Sequence, residues 1–395
     1  MANPSLELFP DTVAASSVAT KSTGVMAAQQ IENAIDQGHV SSDRPIESIQ
    51  LQPSSLDLRL GTRAYRVRAG FLPGPKSTVL ACLEQQGDDV VELDLSSQQL
   101  FERDHVYIVP LMERMRLPKK VSGKANPKSS TGRLDIFTRL ITDYGTEFDR
   151  VHEAYTGLLY AEISPRSFSV RVYHGATLNQ LRLVVGSPSP SDRSIRDLHA
   201  SQGLVYANDG TVIDATIDKG LTLSIDLESG NDSEPVGYIA RNTSAVIDIS
   251  KTDHYETEKF WKSIERPMDG RIIIEPNHFY ILASKELVRI PPDYAAEMIA
   301  FDPVIGEFRA HYAGFFDPGF GDGNTQGVRA VLEVKAHYVP FSLQHGQVVA
   351  RMIYERMMQV PNRLYGRELG SSYYNQGLTL SKHFIRDPCA QCQCD

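Results

Sequence analysis

The sequence predicts a mainly β protein, two tandem jelly-roll or barrel domains with a few short helices, and three observations predict it. The first is an internal repeat. His105-Val-Tyr-Ile-Val-Pro-Leu-Met-Glu-Arg-Met-Arg-Leu-Pro118 returns 173 residues later as His278-Phe-Tyr-Ile-Leu-Ala-Ser-Lys-Glu-Leu-Val-Arg-Ile-Pro291, with six of fourteen positions identical. Duplication of a domain is the simplest source of such a pair. The second is a series of short alternating runs separated by Gly, Pro, Asn and Asp turns, the pattern of sandwiches and barrels. The third is Gly186-Ser-Pro-Ser-Pro-Ser-Asp192, a linker whose prolines interrupt helix and sheet ladders alike.

In chain order, residues 1–22 are rich in Ser, Ala and Thr without periodicity and are expected to form a flexible arm. Gly24 to Gln37 reads as a short amphipathic helix with Met26, Ile31 and Ile35 toward a core. Leu56-Asp-Leu-Arg-Leu60 alternates strictly; Phe168–Val172, Leu221–Leu227, Ala245–Ile249 and Val328–Val334 alternate more loosely, so each predicts a strand. The first domain is expected over 23–195 and the second over 196–360, with Asp197 to Gly210 assignable to either. Residues 361–395 remain as a C-terminal segment with a cysteine-containing tail.

Composition bounds the function. A 395-residue chain with 41% hydrophobic and 23% charged residues can bury two ordinary cores. No apolar run is long enough for a bilayer and the N-terminus lacks a basic, hydrophobic leader, so a cytoplasmic location and no membrane contact are expected. Four cysteines, three of them in the last seven residues, do not make a disulfide framework. The net charge of -9 argues against a nucleic-acid partner. Locally, Arg114 to Arg139 holds eight Lys or Arg against Asp135, a balance of +7, whereas Leu287 to His311 carries -2. One basic stretch in an acidic chain suits a small polyanion.

Lys128-Ser-Ser-Thr-Gly-Arg133 joins hydroxyl donors, a glycine-freed backbone and two cations in six residues, a competent oxyanion cradle. It is not a Walker loop, since Gly123-Lys-Ala-Asn-Pro-Lys-Ser129 lacks the second glycine and Pro127 removes an amide. Phe316-Asp-Pro-Gly-Phe320 is a tight turn by its chemistry. Glu333 follows on a strand face shared with Arg329, Val331 and Lys335, while Ala330, Leu332 and Val334 take the apolar face. Glu162, in Leu158-Leu-Tyr-Ala-Glu162, holds the comparable place in the first repeat, which leaves two candidate carboxylates. His254-Tyr-Glu256 and Pro388-Cys-Ala-Gln-Cys392 imitate a zinc deaminase signature, but they lie more than 130 residues apart and Cys389, Cys392 and Cys394 sit at the end of the chain. No dinucleotide fingerprint or nucleophile elbow is present.

Together, Lys128-Ser-Ser-Thr-Gly-Arg133, Phe316-Asp-Pro-Gly-Phe320, Glu333, Tyr365-Gly-Arg-Glu with Tyr373-Tyr-Asn-Gln-Gly377, and Gln52-Pro-Ser-Ser-Leu-Asp-Leu-Arg-Leu-Gly61 resemble the dCTP deaminase branch of the dUTPase-like superfamily. The resemblance runs over nearly the whole chain once it is read as a tandem duplication. It implies two dUTPase-like, β-clip or jelly-roll-like domains, with sites built where the phosphate loop of one domain meets the Asp-Pro-Gly hairpin and glutamate of another. The first half keeps the loop, so its partner is expected to be the second half; there the loop position reads Asp302-Pro-Val-Ile-Gly-Glu307, which leaves Glu162 a relic.

The implied activity is hydrolysis of dCTP to dUTP and ammonia, with Glu333 as general base and Ser129 and Arg133 orienting the water or stabilising the intermediate. Lys128, Ser129, Ser130, Thr131, Gly132 and Arg133 would bind the nucleotide with Asp317, Leu332, Tyr365 and Gln376. Mg2+ would come with the triphosphate and no zinc is expected. The C-terminal segment would close as a lid, dTTP is a candidate inhibitor and a homo-oligomer is the family habit. Three departures stand out: Lys128 where the family has Arg, Ser372 in place of a C-terminal lysine, and the enlarged loop Gly321-Asp-Gly-Asn-Thr-Gln326. A dUTP pyrophosphatase, alone or combined with the deaminase, and a non-catalytic nucleotide-binding module are the rival readings; ammonia and pyrophosphate in the products separate them.

Overall fold

The computed structural model describes residues 21–228, 234–300, 308–310, 314–322, 327–336, 338–366, 369–371, 373 and 377–386. Each half contains two large sheets, and their strand orders correspond. In the first half one sheet runs Val91–Asp94, Arg63–Val67, Val106–Arg116, Thr156–Pro165, Ile136–Thr142; in the second, Trp261–Ile264, Gly237–Ala240, Phe279–Val288, Val328–Ala336, Phe308–Ala310. The opposing sheets correspond too. Leu56–Arg59, Thr177–Val185, Val121–Pro127 and Arg150–Val151 match Leu221–Ser224, Val348–Arg356, Tyr294–Ala300 and Phe315–Phe316. Side chains alternating across these pleats fill the space between sheets, as the sequence periodicity requires.

Two expectations shift in detail. The N-terminal helix is Ala28–Asp36, while Gly24–Val25 pairs as a strand with Val184 and Val185. Gly24 suits that strand because a Cβ there would press into the backbone of Arg356 and Met358. Helix Asp192–Gln202 crosses the expected boundary at 195. Ser191 caps it by accepting from the Ser194 amide at 3.3 Å, and Ile195 and Leu198 enter the second core, so the junction falls at Gly186–Ser191.

The core of the first half extends into the second. Ile247–Asp248 of the second half pairs in parallel with Val170–Val172 of the first, and Phe260, Trp261, Phe279, Ile281, Val331 and Phe384 join the first half's hydrophobic cluster. Phe168 meets Phe260 and Trp261 edge-on, both at 5.4 Å between ring centroids. Burying each such ring contributes about 1.5–3 kcal/mol. This apolar joint is what sets the two halves' loops against each other.

Candidate active site

Strand Val121–Pro127 ends at a proline, and the chain then makes one helical turn, Ser129–Gly132, with Lys128 extended before it. The turn is closed by the Gly132 amide donating to the Lys128 carbonyl at 3.0 Å and the Arg133 amide to the Ser129 carbonyl at 3.1 Å. Arg133 emerges 4% exposed, donating from Nη1 to the Thr379 carbonyl at 2.8 Å, with its guanidinium 3.8 Å from the centroid of the Tyr373 ring.

The second half approaches from the other side. In Asp317-Pro-Gly-Phe320 the Phe320 amide donates to the Asp317 carbonyl at 3.1 Å and Gly319 has φ +91, a type II turn in which a side chain at 319 would be strained. The Pro318 carbonyl accepts from the Tyr365 amide at 2.8 Å, which lays the C-terminal segment on the turn. Strand Val328–Ala336 then presents Glu333 opposite Ile281 of its neighbour strand.

Between them lies a cavity of about 350 Å³. Lys128, Ser129, Ser130, Gly132 and Arg133 line it from the first half; Asp317, Glu333 and Tyr365 line it from the second. Thr131 instead faces an adjoining space of about 80 Å³. Leu332 does not line the cavity: it is fully buried in the second core, because strand alternation gives the cavity face to Val331 and Glu333. Gln376, the loop 302–307 and the cysteines of the tail lie outside the described residues.

Burial dominates the electrostatics. Glu333 is 5% exposed, and desolvation raises its pKa to about 7, against the pull of the Arg133 cation and with a small push from Asp135. Asp317 is raised by burial, offset by Arg182 and Ser54. Arg133 is itself lowered by burial, with Tyr373, Glu333 and Tyr365 opposing.

Several contributors escaped the sequence reading. Lys128 does not stand free: its ammonium engages the Asp57 carboxylate and the Thr177 hydroxyl, the latter at 3.0 Å. Lys382 lines the same cavity, its pKa lowered by burial and by Lys128. Gln180 lines the cavity and takes the Ser55 hydroxyl at 3.2 Å, while Ser54, buried behind the wall, donates to Asp317. Ser54, Ser55 and Asp57 all come from the Gln52-to-Gly61 signature, which was the available signal. The C-terminal segment is docked: the Ser381 hydroxyl donates to the Ser130 carbonyl and stands beside His383 Nδ1, both at 2.9 Å.

The +7 stretch is not one polyanion patch. Lys124 pairs with Glu297, Arg139 with Glu162 at 2.6 Å and Arg114 with Asp43 at 3.1 Å, leaving Lys128 and Arg133 as its cations at the cavity. His254 and Glu256 are exposed, with Glu256 paired to Lys259 at 2.8 Å. Among the described residues no group of three or more His, Cys, Asp or Glu is placed to hold a metal, and no helix is long and apolar enough to cross a membrane.

Comparison with known proteins covers both halves. Residues 22–187 match the family described as 2'-deoxycytidine 5'-triphosphate deaminase (DCD) N-terminal domain, and residues 191–384 match its C-terminal domain. A Methanosphaera stadtmanae protein named "dCTP deaminase, dUMP-forming" is 30% identical over 129 residues, 32% of this chain and 62% of that protein, so the match spans less than two thirds of its length. A Corynebacterium kroppenstedtii protein of the same name is 26% identical over 171 residues, 42% of this chain and 84% of that one. The crystal structure of 2'-deoxycytidine 5'-triphosphate deaminase from Agrobacterium tumefaciens superposes with a TM-score of 0.81 at 45% identity, over 87% of this chain and 100% of that one.

Proposed function

Because the chain belongs to the 2'-deoxycytidine 5'-triphosphate deaminase family, we propose that it hydrolyses dCTP to dUTP and ammonia in the cavity between its halves. The observation that carries this reading is Glu333: a buried carboxylate with a pKa near 7, facing a cavity whose other wall is the Ser129-to-Arg133 loop. A base of that pKa is about half ionised at neutral pH and still strong enough to take a proton from water.

Glu333 accepts the proton of a water as its oxygen bonds to carbon 4 of cytosine, and passes that proton to ring nitrogen 3. The tetrahedral carbon then holds both a hydroxyl and the amino group. Glu333 takes the hydroxyl proton and delivers it to the amino nitrogen; the carbon–nitrogen bond breaks, ammonia leaves and uracil remains. Arg133 and the Ser129 hydroxyl are preorganised donors for the charge that gathers on oxygen. Lys128, Lys382 and the loop hydroxyls would take the triphosphate, whose oxygens carry Mg2+ as part of the substrate. Tyr365 and the docked segment 377–386 keep bulk water from the reacting carbon.

The test is incubation of the purified protein and its Glu333→Gln variant with dCTP and Mg2+, resolving nucleotides and assaying ammonia and pyrophosphate. Ammonia and dUTP that depend on Glu333 are expected. Turnover indifferent to Glu333, or dCTP binding without turnover, overturns the reading; pyrophosphate with dUMP would add a second hydrolysis, in keeping with the words "dUMP-forming" in those relatives' names.

A further inference from the structure

The hairpin that carries Asp317 is held from the other half of the chain. Arg182, on strand Thr177–Val185, is 0% exposed. A guanidinium is rarely buried so far unless its donors are used. Nη1 donates to the Ala296 carbonyl at 2.9 Å and to Glu355 Oε2 at 3.1 Å; Nη2 donates to the Phe316 carbonyl at 2.8 Å and stands 3.8 Å from Asp317 Oδ1. The guanidinium carbon lies 4.0 Å from the centroid of the Phe315 ring. Ser54, also 0% exposed, donates its hydroxyl to Asp317 Oδ1 at 2.5 Å. A cation serving only to join the halves needs Glu355 alone. Here the backbone just before the turn, the ring before that and the carboxylate itself are all engaged.

We propose that Arg182 and Ser54 are positioning residues for the reaction, holding the Asp317 carboxylate in one orientation in the cavity wall so that it meets the nucleoside portion of the substrate. The substrate's identity rests on the reading above; the geometry does not. The remaining charged or titratable groups facing Asp317 are Asp57 and Tyr365, while Lys124, Glu297 and Glu355 surround Arg182. Burial favours the neutral acid at 317 and the two first-half donors oppose it. Losing either donor leaves the acid form in place to higher pH and lets the side chain turn.

The experiment measures kcat and KM for dCTP, by ammonia release across about pH 5 to 9, in the full chain and its Arg182→Met, Arg182→Lys, Ser54→Ala and Glu355→Gln variants. Arg182→Met is expected to raise KM on the order of 10- to 100-fold, the scale at which misplacing a binding group is felt, and to steepen the acid limb of kcat/KM by adding an ionisation of Asp317 to that of Glu333. Arg182→Lys should recover part of both effects, and Ser54→Ala should show the same direction more weakly. Glu355→Gln, which touches the guanidinium but not Asp317, should lower thermal stability and leave the limb unchanged. A folded Arg182→Met with the wild-type KM and profile overturns the proposal, as does an equal change in Glu355→Gln. Should Arg182→Met fail to fold, Ser54→Ala decides alone. If the wild type releases no ammonia, the functional reading has failed; the titration of 13C-labelled Asp317, assigned with Asp317→Asn, then still tests the grip, which an unmoved midpoint in Ser54→Ala refutes.

Discussion

Glu162 and Glu333 occupy the same place in corresponding sheets, opposite Ile108 and Ile281 on the neighbouring strands, and are 3% and 5% exposed. Their surroundings divide them. Glu162 has a cation on the adjacent strand, Arg139, whose Nε and Nη2 reach Oε1 at 3.2 and 2.6 Å while its guanidinium carbon lies 3.5 Å from the centroid of the Phe148 ring. Gly70 packs so closely that a Cβ there would collide with the Glu162 carboxylate. Glu333 instead meets a cavity, and the cation that acts on it, Arg133, belongs to a loop of the other half. A buried carboxylate with its own cation is a brace; one facing open space, with a cation across it, is the one proposed above as the base.

The strongest way to break this comparison is activity. Glu333→Gln should lower ammonia release by about 10²–10⁴-fold, the usual worth of a general base, whereas Glu162→Gln should leave kcat per folded molecule unchanged. Equal losses in steady-state assays of both variants would make the two sites alike.

Stability should respond in the opposite sense. A carboxyl raised from 4.5 to about 7 by burial destabilises the fold once ionised, because the unfolded chain gives up that proton more readily. The cost sets in as pH rises through 4.5 and is complete above about 7, where it approaches roughly 3 kcal/mol by the linkage of pKa to free energy. Glu333→Gln should therefore gain stability over the wild type in urea melts near pH 8 and little near pH 4. Glu162→Gln should lose about 1–3 kcal/mol at neutral pH by weakening a buried pair. A loss in the first variant or a gain in the second would invert the assignment of brace and base.

The smallest expected effect concerns the closing segment. His383 is held neutral, its pKa lowered from 6.5 to about 4 by burial and by Lys382. The undocked histidine binds a proton that the docked one refuses, so docking weakens as pH falls through 6.5 toward 4. Between pH 7 and pH 5.5 the loss is roughly 1 kcal/mol. Limited proteolysis at the segment should accelerate over that interval, and a His383→Gln variant should flatten the trend.

Chemistry confined to consecutive residues was legible in the chain. The Lys128-to-Arg133 turn, the type II reversal at Asp317 and the two-residue period that puts Glu333 beside Val331 rest on local backbone rules. The same period turns the Leu332 side chain into the core and away from the cavity. Thr131 faces the adjoining space, since one helical turn aims successive side chains to different sides.

What sequence alone determined is therefore the alphabet of the site: β architecture in two corresponding halves, an oxyanion loop kept in one of them, and a strand glutamate that could act as a base. Tertiary structure decided which groups meet. Ser54 lies 263 residues from Asp317 and Arg182 lies 134 from Phe316, while Lys382 reaches the cavity from the end of the chain. No periodicity encodes such pairings. They follow from the packing of the halves against each other, to which the buried Phe168–Trp261 joint contributes, and Glu333's own burial beside that packing raises its pKa to about 7.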